Sequence, residues 1–348
     1  MNKVLVISPS WLGDLIMSQS LLKTLKQLNP GISIDVYAPG YTHPIVSRMP
    51  EVDRFIENPF AHGELNLIKR YKEGKNLAKN NYDCIFVLPN SLKSALVAFF
   101  AGASDRRGFK GESRYILLNN MRCNKQDFPR MVERYVALAY DKNDVKTALD
   151  LPAFEYPKLT IKSLSPDLLA KLNIPEEHRP FLGIGCGANY GPSKLWPVEY
   201  FAKACDYWIE RGGAVLGLGT KKDSETVKAI QGLIHKDNSD YFYDISGKTS
   251  LAEALDLCGS CQAAICNDSG MMHTMAAADV PQVCIFGSTS TTYTPPLSDK
   301  AVCVESTQPC HPCFARTCRF NTYACLKEIS AETVIEKLAA IIKAIKCF

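Results

Sequence analysis

Ser10–Asp14 is the first polar group in this sequence that could do chemistry, and it lies between an apolar run, Val4–Ile7, and a helical pattern. Gly13 permits close approach of the backbone, and a helix N-terminus attracts anions. Asp14 could therefore act as a general base beside a bound anion. An acid that only complements the helix dipole would give the same pattern, so both roles of Asp14 stay open here.

A second group, Asn267–His273, also lies between a predicted strand and a predicted helix. Asp268, Ser269 and Gly270 would offer backbone N–H groups and a hydroxyl to a phosphate, and the Asp268 carboxylate suits a sugar hydroxyl. His273 would lie in the first helical turn and face the same ligand. A helix cap with a satisfied histidine is an equally good alternative.

A glycine-rich stretch, Gly185–Pro197, follows another predicted strand and contains Lys194. It could hold a pyrophosphate, with Lys194 neutralising the phosphate charge. It matches neither the Walker loop nor the dinucleotide pattern, in which a glycine would replace Tyr190. A nicotinamide dehydrogenase is therefore disfavoured. Asp223 follows a further strand and could hold ribose hydroxyls, or be a solvated acid at a helix start.

The first half of the chain contains a basic cluster in a predicted loop. It consists of Arg106, Arg107 and Lys110, followed by Arg114. Arginine forks match carboxylates and phosphates, so these side chains could bind an anionic acceptor. A solvated run of charges would look the same.

Cysteines occur in two settings. Many lie in apolar runs and are expected to be reduced core thiols: Cys84, Cys186, Cys266, Cys284 and Cys303. The others form a cluster in the tail, Cys310-x2-Cys313-x4-Cys318-x6-Cys325. This spacing could hold a structural zinc ion through four thiolates. A packed or redox-active loop of reduced thiols is the alternative.

No D-x-D triplet occurs in the sequence. Many nucleotide-sugar enzymes hold a divalent ion with such carboxylates. We therefore expect no cofactor to be required for catalysis, with phosphate charge stabilised by lysine and backbone N–H groups.

Apolar runs and helical patterns alternate along the chain, which predicts an α/β fold with parallel sheets and helices on both faces. The series occurs twice. We therefore predict two Rossmann-like, doubly wound domains, at residues 1–165 and 175–348, the second ending in the cysteine-rich tail and a helix capped by Ser330. A linker is expected at 157–180, where the periodicity weakens. Ligands bind at the carboxyl ends of such strands, so the polar groups should line a cleft.

The composition excludes several classes of protein. The chain has 348 residues, 46% hydrophobic and 22% charged, which is typical of two globular domains. It has no apolar run of the roughly 18–20 residues that a membrane span needs, and its N-terminus lacks a signal-peptide pattern, so we expect a cytoplasmic protein. A net charge of +4 is too small to indicate nucleic-acid binding, but it suits an anionic small molecule or membrane surface.

Several segments, in the same order, resemble the heptosyltransferases of glycosyltransferase family 9, in particular those that add the second heptose. They are P-S-W-L-G-D-x-x-M-S-Q-S-L at Pro9–Leu21, R-M-P-E-V at Arg48–Val52, L-P-N-S-x-K-S-A-L at Leu88–Leu96, M-V-E-R-Y-x-A-L-A-Y at Met131–Tyr140, Y-G-P-S-K-x-W-P at Tyr190–Pro197 and N-D-S-G-x-M-H at Asn267–His273. The resemblance covers both halves of the chain. It implies the GT-B arrangement, in which two Rossmann-like domains face a central cleft.

The resemblance also implies an activity: inverting transfer of L-glycero-D-manno-heptose from ADP-heptose to the first heptose of the lipopolysaccharide inner core. Asp14 matches the proposed base, and Lys194 matches the phosphate-binding lysine. The expected donor-binding residues are Gly13, Asn189, Ser193, Lys194, Asp223, Asp268, Ser269, Gly270 and His273. The acceptor is expected at the basic cluster. Because that acceptor is linked to lipid, peripheral contact with the inner leaflet of the inner membrane is expected too.

Other functions stay open. A heptosyltransferase I, acting on Kdo2-lipid A, would share the motifs. A nucleotide-sugar epimerase of the GT-B class would share the fold but would need neither a lipid-linked acceptor nor the basic cluster. A binder without catalytic activity is disfavoured because both Asp14 and Lys194 are present. The tail at residues 310–325 departs from the expected pattern, so its role is open.

Overall fold

A computed structural model describes residues 1–61 and 63–345 of the chain. It divides the chain into two units, unit 1 (Met1–Leu159) and unit 2 (Thr160–Phe348). The predicted first domain ran to residue 165, whereas the division lies at 159/160. The predicted second domain ran to residue 348, and its residues 346–348 lie outside the described part.

Unit 1 contains a parallel sheet, which in the described residues has six strands in the order β3-β2-β1-β4-β5-β6. The strands are β1 (Lys3–Ile7), β2 (Ser33–Pro39), β3 (Arg54–Asn58), β4 (Cys84–Val87), β5 (Asp105–Phe109) and β6 (Asn120–Arg122). The helices are α1 (Leu12–Leu28), α2 (His43–Val46), α3 (Leu67–Ala78), α4 (Leu92–Ala101) and α5 (Met131–Ala137). The central strands β1 and β4 are nearly all buried, as their apolar sequences predict.

Unit 2 repeats this plan, with six parallel strands among its described residues in the order β12-β11-β10-β7-β8-β9. The strands are β7 (Phe181–Gly185), β8 (Ala214–Gly217), β9 (Phe242–Asp244), β10 (Ala263–Asn267), β11 (Gln282–Phe286) and β12 (Ala301–Glu305). The helices are α6 (Pro166–Leu172), α7 (Val198–Ile209), α8 (Ser224–Gln231), α9 (Leu251–Ser260), α10 (Gly270–Ala277), α11 (Ala324–Lys327) and α12 (Ala331–Ile345). The predicted cap of the last helix is confirmed, because the Ser330 hydroxyl accepts a bond from the Thr333 N–H (3.1 Å).

The sheet of unit 2 has an apolar core on each face. Successive strand residues point to opposite faces, so Leu182 and Ile184 pack with α7 and α12, while Phe181 packs with α6 and α9. Burying one such side chain contributes about 1.5–3 kcal/mol. The sheet is therefore a rigid support for the loops at its carboxyl edge.

In both sheets the strand order reverses next to the first strand of the unit. In unit 1, β1 lies between β2 and β4; in unit 2, β7 lies between β8 and β10. Ligands of doubly wound sheets bind at the carboxyl ends of the strands that flank this point. The loops after β1 and β4, and those after β7 and β10, are therefore the places to look for sites.

The division between the units, at 159/160, lies within the expected linker at 157–180. The later part of that stretch contains α6, whose Leu168 and Leu169 are buried in the core of unit 2; seven helical residues are too few to give a clear periodicity. Two other local predictions were wrong. The expected basic loop at 106–110 is strand β5 and the residue after it. Cys303 is exposed, because its strand, β12, forms an edge of the sheet.

No helix among the described residues is long and apolar enough to span a membrane.

Candidate active site

Unit 1 contains a cavity of about 890 Å³ at the carboxyl ends of β1 and β4. It is lined by Ile7 at the end of β1, residues 8–11 after that strand, residues 88–91 after β4, and Asp14. The cavity lies at the reversal point of the sheet, where the topology predicts a ligand site. It is a candidate site for the acceptor or for part of the donor.

Asp14 is a half-buried residue in the first turn of α1, directly after Gly13. The hydroxyl of Tyr135, on α5, donates a hydrogen bond to its Oδ1 atom (3.3 Å). The helix start and this bond hold the carboxylate at the cavity wall, where a general base would have to be. The contact with Tyr135 was not predicted, although Tyr135 lies in one of the segments that carried the family resemblance.

Arg114, in the predicted acceptor group, is almost fully buried, with 1% of its surface exposed. Its guanidinium donates to the carbonyl oxygens of Pro89 and Phe109. Burial lowers its pKa to about 10. Arg114 thus ties β5 to the loop after β4, beside the cavity, and its predicted contact with an acceptor stays a prediction.

Arg106 and Arg107 are also engaged within unit 1. Arg106 donates to the carbonyl oxygens of Leu117 (2.8 Å) and Ala103 (2.6 Å). Arg107 pairs with Asp105 at 2.7 Å and donates to the carbonyl oxygen of Leu138 (3.0 Å). These bonds fix the ends of β5.

Lys110, in contrast, is exposed, with its Nζ atom 5.5 Å from the centre of the Tyr115 ring. Its ammonium group is therefore open to solvent in a way that the guanidinium of Arg114 is not. The predicted contact of all four basic residues with an acceptor remains untested.

In unit 2, the loops after β7 and β10 bring Lys194 and Asp268 together. The Lys194 Nζ atom lies 2.6 Å from the Asp268 Oδ2 atom, and both side chains are largely buried. The Thr289 hydroxyl donates to the same oxygen (2.6 Å). A buried ion pair of this kind is costly to desolvate and strongly unfavourable to break on one side only. Thr289 was not predicted, because no motif surrounds it in the sequence.

Ser269 and Gly270 lie at the start of α10. Ser269 has an extended backbone (φ −153°), and its side chain does not cap the helix. Its buried Oγ atom has no hydrogen-bond partner among the described residues. A buried hydroxyl without a partner is unfavourable, and a bound anion at this helix start would accept its bond together with bonds from the N–H groups of the first turn.

His273 is buried one turn into α10. Burial lowers its pKa to about 4; the charge of Asp268 opposes this shift and that of Lys194 adds to it. At neutral pH the imidazole is therefore uncharged. Its part in binding an anion would be that of a neutral hydrogen-bonding group.

The remaining predicted donor residues lie at the same edge of unit 2. The Asp223 Oδ2 atom accepts bonds from the Thr220 N–H (2.7 Å) and hydroxyl (2.8 Å). The other oxygen, Oδ1, lies so close to Gly187 that a Cβ atom there would be 2.1 Å away. Asp223 therefore lies against the loop after β7. Asn189 in that loop is exposed, while Ser193 is buried.

The tail segment (residues 310–325) packs against this loop. The Ser193 hydroxyl donates to the carbonyl oxygen of Ala315, and the Tyr190 hydroxyl donates to that of Phe314. The Ser193 N–H donates to the carbonyl oxygen of Arg316 (3.3 Å). Ser193 is thus occupied with holding the loop in place, and the tail segment positions the loop that carries Lys194.

The four cysteines of the tail segment have unpaired thiols. Hydrogen bonds from the backbone, that of Tyr323 first, lower the pKa of Cys318 to about 7. Burial raises the pKa of Cys325, and the charges of the other three thiols add to this. Within residues 1–61 and 63–345, however, no group of Cys, His, Asp and Glu side chains is arranged to hold a metal ion. Binding of a zinc ion by these four thiols stays a prediction.

The structure brings Lys194 and Asp268 together beside the start of α10, and it places Asp14 at the cavity of unit 1. The family profile of "Glycosyltransferase family 9 (heptosyltransferase)" matches residues 70–324. The match covers well over half of the chain and reaches into both units. The chain therefore belongs to glycosyltransferase family 9, and its two doubly wound units have the GT-B class of fold that the resemblance implied.

Characterised relatives define the similarity further. The chain is 45% identical to a lipooligosaccharide heptosyltransferase 2 of Haemophilus influenzae, over 87% of this chain and 88% of that protein. It is 40% identical to a lipopolysaccharide heptosyltransferase 2 of Escherichia coli, over 98% of each chain. Its fold matches the structure of E. coli ADP-heptose lps heptosyltransferase II with a TM-score of 0.89 and 38% identity, over 99% of this chain and all of that one.

Proposed function

We propose that the protein is an inverting heptosyltransferase. It moves L-glycero-D-manno-heptose from ADP-heptose to the first heptose of the lipopolysaccharide inner core. The observation that carries the proposal is the 40% identity over 98% of both chains to a protein named lipopolysaccharide heptosyltransferase 2. The likeness spans both units and so includes every loop that the candidate site uses.

The donor binds at the carboxyl edge of unit 2. Its diphosphate lies near Lys194, accepts hydrogen bonds from the Ser269 hydroxyl and the N–H groups at the start of α10, and contacts neutral His273. Asp223 contacts the ribose of the donor, and Asn189 and Ser193 line the loop around its diphosphate. The buried setting supports this assignment, since charge interactions are stronger where water is excluded.

The acceptor hydroxyl attacks the anomeric carbon of the donor heptose. A new C–O bond forms as the bond between that carbon and the β-phosphate oxygen breaks, so ADP leaves and the configuration inverts. Asp14 takes the proton of the attacking hydroxyl, and Lys194 offsets the negative charge that grows on the leaving diphosphate. Every group in this scheme belongs to the chain or its two substrates.

Catalysis is proposed to need no cofactor, because the chain has a lysine and helix N–H groups where other enzymes use a metal, and lacks a D-x-D triplet. ADP-heptose is a substrate in this scheme. The activity should therefore be unchanged after treatment with a chelator. A loss of activity that added Mg²⁺ or Mn²⁺ restores would contradict this part of the proposal.

The second substrate is a lipid-linked core acceptor. The basic residues proposed to bind it directly, or to shape the cavity that binds it, are Arg106, Arg107, Lys110 and Arg114. Because such an acceptor is anchored in a bilayer, the protein is proposed to work in the cytoplasm, in peripheral contact with the inner leaflet of the inner membrane. No nucleic acid takes part.

The deciding experiment uses purified protein, ADP-heptose and two acceptors, Kdo2-lipid A and its mono-heptosylated form. ADP release and product mass are followed. Gain of one heptose on the mono-heptosylated acceptor alone is expected. Gain on Kdo2-lipid A would indicate a heptosyltransferase I, and altered ADP-heptose without transfer to either acceptor would indicate an epimerase.

A further inference from the structure

An exposed apolar edge lies at the start of α3. We call it the α3 edge, and its residues are Leu65, Leu67, Ile68 and Tyr71, with 49%, 54%, 71% and 49% of their surface exposed. Single exposed apolar residues are common and need no explanation. Four large ones within seven positions are unusual on a protein surface and indicate contact with an apolar partner.

The α3 edge continues into a row of lysines. Lys72, Lys75 and Lys79 are exposed and follow Ile68 at helical spacings of three and four, so they extend from the α3 edge along one face of the helix and the residue after it. Within Leu67–Ala78 the sequence has one acid, Glu73, which is half-buried. The face is therefore apolar at one end and cationic at the other.

The α3 edge is held firmly in place. The guanidinium of Arg70, buried on the inner face of α3, donates to the carbonyl oxygens of Leu65, Glu64 (2.7 Å) and Lys93 (2.9 Å). Glu64, the other nearby acid, accepts bonds from the Ala61 N–H (3.0 Å) and from Asn66 and lies 3.9 Å from the Lys69 Nζ atom, so its charge is partly offset within unit 1. Because the backbone of the α3 edge is already ordered, it loses little conformational entropy when it binds a partner.

The α3 edge also borders the cavity of unit 1. Gly63, just before it, and Arg70, within α3, line that cavity, as does Lys93 at the start of α4. A surface that held the α3 edge would therefore lie beside the cavity proposed to take the acceptor. An apolar strip next to lysines is the pattern that binds a bilayer with anionic headgroups.

We propose that the α3 edge and Lys72, Lys75 and Lys79 dock unit 1 on the surface of an anionic bilayer. The apolar side chains enter the boundary between headgroups and acyl chains, while the lysines contact the headgroup phosphates. The proposal rests on the proposed function in one respect, the lipid-linked acceptor that the docked cavity would receive. The docking itself can be measured without any transfer reaction.

The main test is co-sedimentation of the full chain with vesicles of phosphatidylcholine that contain about 30% phosphatidylglycerol, an anionic lipid. The L67S/I68S variant should have a vesicle-binding constant at least about tenfold lower, since burial of one such side chain contributes roughly that factor or more. The matched control is L28S/L149S, which removes two exposed leucines elsewhere in unit 1 (55% and 96% exposed). Equal loss in both variants, or in neither, would overturn the proposal.

The cationic part is tested by K72Q/K75Q against K142Q/K146Q, which changes the net charge equally on another exposed part of unit 1. The first pair should weaken binding by roughly fivefold per lysine at low salt and have little effect at high salt. The second should bind like the wild type. Wild-type binding that is equally strong on neutral vesicles would overturn the role of charge.

The alternative partner of the α3 edge is a second copy of the chain, which would make the protein a dimer. Analytical ultracentrifugation distinguishes it, because L67S/I68S would then convert a dimer to a monomer, and this would overturn docking on a bilayer. Unchanged mass in wild type and variant is expected.

Transfer assays separate this proposal from the proposed function. With a deacylated, water-soluble acceptor, L67S/I68S should be as active as wild type; with the same acceptor in vesicles it should be slower by about the factor lost in binding. Wild-type protein that binds vesicles through the α3 edge but transfers no heptose would contradict the proposed function and leave the docking surface standing. Equal loss on both acceptors would overturn docking as the role of the α3 edge.

Discussion

Asp14 is placed by two independent contacts of the fold: the first turn of α1 carries it to the cavity, and the Tyr135 hydroxyl donates to its carboxylate. If Asp14 is the base, Asp14→Asn should lower kcat by about 10²–10⁴-fold, because the amide cannot take a proton. Binding of ADP should be unchanged, since the groups proposed to hold it are in unit 2. Steady-state kinetics and calorimetry with ADP measure the two effects.

Tyr135→Phe is the matched control for Asp14→Asn. It removes the hydroxyl that orients the carboxylate and leaves the base itself, so its kcat should fall much less. A similar large fall in both variants, or a large loss of ADP affinity in Asp14→Asn, would contradict the role of Asp14 as a base.

His273 makes the stability of the protein depend on pH. Its pKa is about 4 in the folded protein because of burial, against about 6.5 in an unfolded chain. Between these values the unfolded state binds the proton and the folded state does not. The contribution of neutral His273 is thus fully present above about pH 6.5 and is lost as the pH falls toward 4, by an amount on the order of 3 kcal/mol.

Chemical denaturation from pH 7 to pH 4 measures this effect. His273→Gln should flatten the fall in unfolding free energy over that window, because glutamine does not titrate. His235→Gln is the control, since the His235 side chain is exposed. Parallel curves for wild type and His273→Gln would mean that the imidazole titrates normally in the fold.

At the scale of elements, the loop after β7 depends on the tail segment. Gly191 has a φ of +155°, and a Cβ atom there would lie 2.4 Å from the carbonyl oxygen of Arg316. Gly191→Ala should therefore push the loop from the tail segment and displace Lys194. We expect ADP affinity to fall by about tenfold or more, while the unfolding free energy falls by only about 1–3 kcal/mol.

Gly212→Ala is a close control for Gly191→Ala. Gly212 also has a positive φ (+92°), but nothing lies within 4 Å of the position of its Cβ atom. It should show a similar cost of backbone strain and unchanged ADP affinity. If both variants lose ADP affinity only in proportion to their lost stability, the tail segment does not position the loop.

The elements that sequence predicts well are those with long apolar signals. The apolar run Val4–Ile7 lies within β1, and the predicted cap at Ser330 is confirmed by the bond that its hydroxyl accepts from the Thr333 N–H. The element β5 was missed because its sequence, DRRGF, is charged. Arg106 and Arg107 also bond the carbonyl oxygens of Leu117 and Leu138, and no local pattern in the sequence predicts these longer-range contacts.

At the scale of the whole molecule, the topology can be predicted from the sequence, but the contacts between distant residues cannot. The repeated β-α series predicts two reversal points and therefore the loops that hold Asp14, Lys194 and Asp268. It does not predict Tyr135 or Thr289, which reach those residues through hydrogen bonds from elements far along the chain. Nor does it reveal that Arg114 is buried, since the residue type alone favours the surface.

The assignment of the donor to unit 2 gives a prediction for the whole molecule. Amide hydrogen exchange, measured with and without saturating ADP, should slow in the loop after β7 and at the start of α10. Peptides covering residues 8–14 and 88–91 of unit 1 should be unchanged, because the groups proposed to hold the diphosphate all come from unit 2. Adenosine serves as the control ligand and should protect the region of Asp223 without slowing exchange at the start of α10. Protection by ADP that is confined to the cavity of unit 1 would mean that the nucleotide binds beside Asp14, and the roles of the two units would have to be exchanged.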